Sequence, residues 1–162
     1  MTFTLRDAAL PQDLPVLTRF MAGLCDVEHA LHPGRRTGAD GAEAHVRYLA
    51  REVAANRGRM ILAETPEGAA AGMMICAVED MGGHYLYPDH QVVGYVYDLW
   101  IEPVHRGGPL LDMLLDCAEA HFRDLGMTVM MISYLVGNDR AAAAYEKRGF
   151  RPNEVMLERR VR

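Results

Sequence analysis

The spacing of apolar residues predicts an α/β (α+β) fold, a central sheet of mixed antiparallel and parallel strands with helices on both faces. Three observations lead there. Two amphipathic helix patterns follow a short N-terminal strand, the apolar runs 60–64 and 70–78 flank the turn Thr65-Pro66-Glu67-Gly68, and a long strand pattern at 92–102 precedes a helix, a strand and a further helix.

Residues 3–6 alternate as a strand, and Pro11-Gln12-Asp13 opens a helix with Leu14, Leu17, Phe20, Met21 and Leu24 on one face. After the break at His32-Pro33-Gly34, a second helix over about 42–56 repeats Ala42, Val46, Leu49, Ala50 and Val53 at helical spacing. The hairpin 60–64 and 70–78 comes next, then a polar loop, 80–91, rich in Gly and His. Pro103 ends the strand 92–102 because proline cannot donate to a ladder. From Leu110 the apolar spacing becomes helical, with Leu111, Leu114, Leu115, Ala118 and Phe122 inward until Gly126. Residues 127–136 are almost continuously apolar, as in a strand covered on both faces. Asn138 caps a helix to Arg148, and 154–161 reads as a last strand.

A chain of 162 residues, half apolar and a quarter charged, is expected to fold as one domain, 1–162. A net charge of −5, with no basic cluster longer than Arg35-Arg36 and Arg159-Arg160, argues against a nucleic-acid partner. Cys25, Cys76 and Cys117 form no CxxC pair and no disulfide framework, which fits a reducing cytoplasm. The N-terminus lacks a signal-peptide core and no apolar run reaches membrane-spanning length, so no membrane partner is expected.

Chemistry concentrates in 92–150. Arg106-Gly107-Gly108 is a flexible loop opening a helix, whose free N–H groups suit an anion, and the adjacent Leu99-Trp100-Ile101 can offer backbone hydrogen bonds to a peptide-like arm. Further on, Asn138, Ala141, Tyr145, Gly149 and Phe150 stand in the spacing NxxAxxxYxxxGF. Asn138 and Tyr145 are nearly two turns apart and so share a helix face.

These motifs resemble the GNAT superfamily of N-acetyltransferases, over more than a third of the chain. The resemblance implies the GNAT acyl-CoA N-acyltransferase fold, with 92–150 as the acetyl-CoA-binding core and 25–58 and 80–91 as acceptor-side segments. It implies that Leu99, Trp100 and Ile101 hold the pantetheine arm, that Arg106, Gly107, Gly108, Pro109, Leu110, Leu111 and Asp112 face the pyrophosphate, and that Asn138 and Tyr145 contact the cofactor. Tyr145 would then be the acid for the departing thiolate, with acetyl-CoA the co-substrate and no metal. The family's loop, Q/R-x-x-G-x-G/A, departs here at both small residues. Pro109 removes a donor, and Leu111 puts a side chain where the backbone should approach the phosphates.

An amine with a pKa near 10 must lose a proton before it attacks. Plain alternation puts Tyr95, Tyr97 and Leu99 on one face of the long strand and Gly94, Val96, Asp98 and Trp100 on the other, before any bulge. Asp98 is the acid at a position where relatives carry the base, against a purely structural carboxylate, and Glu102 is a second candidate. His105 reads as packing, His84 and His90 as exposed or lining an acceptor pocket, Ser133 as buried outside any GxSxG, and the methionine pairs 73–74 and 130–131 as core filler. The expected activity is acetyl transfer to a primary amine of a small molecule or peptide, the acidic balance pointing to a cationic acceptor, and the resemblance implies a homodimer as in many relatives. The rival is a non-catalytic module of the same fold with weakened coenzyme A binding.

Overall fold

The computed structural model describes residues 2–84 and 86–161. Its elements are β1 (Thr4–Asp7), α1 (Leu14–Leu31), α2 (Gly38–Ala55), β2 (Arg59–Glu64), β3 (Ala70–Asp80), a one-turn α3 (Pro88–Gln91), β4 (Val92–Ile101), α4 (Leu110–Asp124), β5 (Met130–Ile132) and α5 (Asp139–Lys147). The sheet runs β1-β2-β3-β4-β5. The first three pairings are antiparallel, whereas β4 and β5 run parallel across the α4 connection.

Apolar periodicity accounts for how the layers form. Leu17, Phe20 and Met21 of α1 and Ala42, Val46 and Leu49 of α2 bury one cluster with Met60, Leu62, Met73 and Ile75. On the opposite face Leu110, Leu114, Ala118 and Phe122 of α4 pack with Ile61, Met74, Cys76, Val96 and Ile101. Met73 and Met74 point to opposite faces and are fully buried, as core filler should be. Thr37 caps α2, its side chain accepting from the Asp40 N–H, which extends this helix four residues upstream of the apolar pattern at 42.

Two sequence expectations fail in the C-terminal third. The strand read over 127–136 shrinks to Met130–Ile132, and Ser133, expected inside a buried strand, is exposed, as are Tyr134 and Val136. Residues 154–161 form no strand, and 151–161 have no regular secondary structure and are exposed. Both segments carry a strand's apolar pattern but meet no neighbouring strand beyond β4, and an apolar pattern alone does not supply the ladder that makes a strand.

Candidate active site

The site begins with an irregularity in β4. Asp98 pairs with Ile75 and Val96 with Cys76, so Tyr97 is an extra residue, a bulge. The bulge reverses the alternation. Gly94, Val96, Leu99 and Ile101 face α4, whereas Tyr97 and Trp100 join the α1–α2 cluster and Asp98 reaches α2. Asp98, Leu99 and Trp100 therefore lie on the faces opposite to those plain alternation assigns. Close packing fixes both sides: a Cβ at Gly23 of α1 would stand 2.6 Å from the Trp100 ring.

Beyond the bulge β4 loses one neighbour. It stays paired with β3 through Ile101, but β5 pairs only with Gly94, Tyr95 and Val96. Beyond Val96 the β4 edge over 97–101, including Leu99, Trp100 and Ile101, pairs with no strand on that side among the described residues.

Three elements surround Asp98. His45 of α2 places Nε2 3.3 Å from the carboxylate, whose side chain is only 11% exposed. The hydrogen bond to Asp98 raises the imidazole above its ordinary 6.5, while burial pulls it down. Tyr48 stacks on the ring at 6.1 Å. Glu28 of α1 has its carboxyl pushed up by burial, opposed by Arg35 at 3.6 Å, and burial also raises the Cys25 thiol, helped by the Asp98 charge. Sequence reasoning passed over His45 and Glu28, which belong to no motif. A signal existed for His45: it lies three residues after Ala42 and four before Leu49, a polar residue inside the apolar stripe.

At the end of β4 the chain turns through Pro103–His105 into α4. Arg106 folds back, its Nε donating to the Ile101 carbonyl at 2.7 Å and its guanidinium lying 4.5 Å from the centre of the Trp100 ring. Its pKa is lowered by burial and then by the charge of Arg140 in the first turn of α5. Two like charges thus flank the loop, an arrangement that an anion between them would relieve. Gly107 adopts φ +81°, a left-handed turn that suits glycine. Pro109 is the N-cap of α4 and no side chain caps that end, so the first N–H groups, at Leu110 to Asp112, have no intrahelical partner. Asp112 turns to Arg148, 3.6 Å away.

Leu111 takes the inward place that its helical spacing predicts. It is half-buried against the α4-side core rather than standing over the loop. Leu111→Gly is therefore expected to cost about 2 kcal/mol, the low end for truncating a leucine because the side chain is half-buried, with about 1 kcal/mol more for glycine in a helix. It should not tighten cofactor binding. Denaturant unfolding beside calorimetry with coenzyme A checks both expectations, and a lower dissociation constant in the variant would restore the obstruction.

Asn138 caps α5, its Oδ1 accepting from the Ala141 N–H at 3.2 Å. Tyr145 is half-buried between Tyr134, with ring centres 6.4 Å apart, and Phe150, at 6.0 Å. Burial, with the charges of Asp98 and Glu28, pushes its hydroxyl up to about 12, so the phenol stays protonated. Asp98, Glu28 and Tyr145 thereby share one electrostatic environment. The other candidates lie outside it: Glu102 is ion-paired with Arg19, His105 packs edge-on against Phe3, and His84 and His90 are exposed.

A bulged strand with one unpaired edge beside a bare helix N-terminus can be compared with known proteins. The model of the acetyltransferase (GNAT) family matches residues 27–150. The chain belongs to the GNAT acetyltransferase family. Solved structures of similar fold include a GCN5-related N-acetyltransferase from Ralstonia eutropha, 20% identical, with 98% of each chain covered and a TM-score of 0.76. An aminoglycoside 6′-N-acetyltransferase from Acinetobacter haemolyticus is 16% identical, with 98% of each chain covered and a TM-score of 0.71. AAC(6')-Iy in complex with the bisubstrate analogue CoA-S-monomethyl-acetylneamine is 15% identical, covering 100% of this chain and 99% of the other, with a TM-score of 0.71. No curated protein matches the sequence. Among the described residues of this GNAT chain, no helix is long and apolar enough to cross a membrane, and no group of three or more His, Cys, Asp or Glu is placed to hold a metal ion.

Proposed function

We propose that this GNAT protein is an N-acetyltransferase that moves the acetyl group of acetyl-CoA to a primary amine of a small molecule or peptide. The observation that carries this reading is the bare β4 edge over 97–101, which ends at the uncapped N-terminus of α4. Edge and helix end are the two recognition elements that a peptide-like arm and a pyrophosphate need. Leu99 to Ile101 would bind the arm, Gly107, Gly108 and the N–H groups of Leu110 to Asp112 the pyrophosphate, and Arg106 and Arg140 supply positive charge.

The chemistry follows from what lies at the bulge. The ammonium of the acceptor gives a proton to the His45–Asp98 pair, in which the carboxylate holds the imidazolium that forms. The free amine attacks the thioester carbonyl, which backbone N–H groups of the bare edge polarise. A C–N bond forms and the C–S bond breaks, the surplus proton on the new amide nitrogen passes through solvent to the departing sulfur, and Tyr145 donates a hydrogen bond to that sulfur. Holding both reactants in one cleft supplies more of the acceleration than any one of these groups.

The carboxylates of Glu28 and Asp98 favour a cationic acceptor, and one of the similar folds is an aminoglycoside 6′-N-acetyltransferase by name. The non-catalytic module draws on Pro109 and Leu111. With Leu111 in the core, the missing donor of Pro109 is what remains for it.

Calorimetry with acetyl-CoA tests the reading. Binding below millimolar concentration is expected, and at a hundredfold excess over Kd the native state should gain about 2.7 kcal/mol, raising Tm by roughly 5–11 °C. Absence of binding at millimolar cofactor would overturn it.

A further inference from the structure

The last peptide of β4 shows which backbone groups serve the bare edge. The Glu102 N–H donates to the Ala71 carbonyl at 2.9 Å, on the β3 side. In a planar trans peptide the carbonyl points the opposite way, so the Ile101 oxygen faces the bare edge. Leu99, two residues earlier, presents its backbone groups to the same side. These are the groups that a peptide-like arm would pair with as an added strand. One of them is already taken. Arg106 Nε donates to the Ile101 carbonyl at 2.7 Å, so the chain's own side chain occupies the end of the edge nearest α4.

What holds Arg106 there is short of negative charge. Its hydrogen-bond partner is a neutral carbonyl, and its guanidinium rests 4.5 Å from the centre of the Trp100 ring, which backs onto α1 at Gly23. Glu102, the acid that pulls on it, is ion-paired with Arg19, and Arg140 repels it from α5. A diphosphate at the first N–H groups of α4 would offer the anionic partner that the folded position lacks, in a stronger, charge-assisted contact. The space beside the loop is open, since a Cβ at Gly107 would meet no atom within 4 Å.

We propose that Arg106 is a two-position catch: folded back, it closes the end of the β4 edge to the pantetheine arm, and the pyrophosphate of acetyl-CoA draws it away and opens the edge. The inference rests on the acetyl-CoA reading above and adds a coupling to it. The anion uncovers the Ile101 carbonyl and the arm then pairs with it, so the two halves of the cofactor strengthen each other's binding although they touch different groups.

The halves can be offered separately, as inorganic pyrophosphate and S-acetylpantetheine. In calorimetry of the native chain, saturating pyrophosphate should tighten S-acetylpantetheine binding by about 5–150-fold, the usual range of coupling between two sites. Arg106→Met keeps the aliphatic stem and loses the donor. It should bind S-acetylpantetheine as tightly without pyrophosphate as the native chain does with it, and the coupling should vanish. Trp100 is the sole tryptophan, so its emission reads the catch without any substitution. Pyrophosphate alone should change the emission of the native chain and leave that of Arg106→Met unmoved. Halves that bind the native chain independently, a coupling that survives in Arg106→Met, or a native emission indifferent to pyrophosphate would each overturn the catch. Acetyl-CoA titrated in the same series keeps the two readings apart: if it binds while the halves stay uncoupled, the catch alone falls, and if it does not bind, the acetyl-CoA reading falls and takes the catch with it.

Discussion

Asp98→Asn is expected to lower kcat for an acetylated amine by about 10²–10⁴-fold, the usual contribution of a positioned acid or base. Asparagine keeps the shape at the β4 bulge and can still accept from His45, so the fold should survive while the charge that holds the imidazolium is lost. The pH profile separates the roles. His45 faces Asp98 from β4, Glu28 from α1 and Arg35 from the α1–α2 connection, and the Asp98 hydrogen bond raises it. If neutral His45 takes the proton, kcat of the native protein rises with pH through a value above 6.5. In Asp98→Asn that limb should move to lower pH, since the raising cause is gone and burial remains. Reading kcat rather than kcat/KM keeps the ionisation of the free amine out of the profile.

The same pair has a signature that needs no acceptor. A histidine raised in the folded state adds stability that is complete below its unfolded value, about 6.5, and is lost as pH rises through the folded value. Asp98→Asn should therefore depress Tm more at pH 6 than at pH 9. An equal depression at both would leave Asp98 without an electrostatic hold on His45, and an unmoved kcat limb would assign the proton to another group.

Much of the fold was legible in the residues because it rests on short-range patterns. Leu17, Phe20 and Met21, or Leu114, Ala118 and Phe122, announce their helices by spacing, and Thr65 to Gly68 announces the hairpin. What escaped depends on how strands pair. Alternation along 92–101 is blind to the extra residue Tyr97, since a bulge is defined by the partner strand, and that one residue exchanges the faces of Asp98, Leu99 and Trp100. Likewise 127–136 reads as a single strand, but only Met130 to Ile132 find β4. The early departure of β5 is what bares the β4 edge.

The site was legible in the same uneven way. Tyr145 and Asp98 stood in recognisable places, whereas His45 and Glu28 become neighbours only when two helices dock on one sheet face. Leu111 was legible from its spacing, which puts it on the inward stripe of α4, where it packs half-buried against the core. Arg140 also needed the fold, because only the approach of α5 to the loop brings its charge near Arg106.

Tyr145→Phe is expected to lower kcat by about 10–150-fold, the value of one hydrogen bond to a charged group, about 1.5–3 kcal/mol. The figure follows from the phenol's acidity. Its hydroxyl titrates at about 12, whereas an alkyl thiol such as cysteine's titrates near 8.5. Complete proton transfer to the departing sulfur is thus uphill, because the phenol is the weaker acid. Tyr145 therefore stabilises the developing charge by donating a hydrogen bond, and solvent completes the protonation. Two consequences separate this from full acid catalysis. No alkaline limb in kcat below pH 10 should trace to Tyr145, and KM for acetyl-CoA should barely move, because the phenylalanine ring still packs between Tyr134 and Phe150. Rapid-quench kinetics of the acetyl-transfer step would check the loss. An unchanged rate there would leave Tyr145 a packing residue and give the thiolate to water alone.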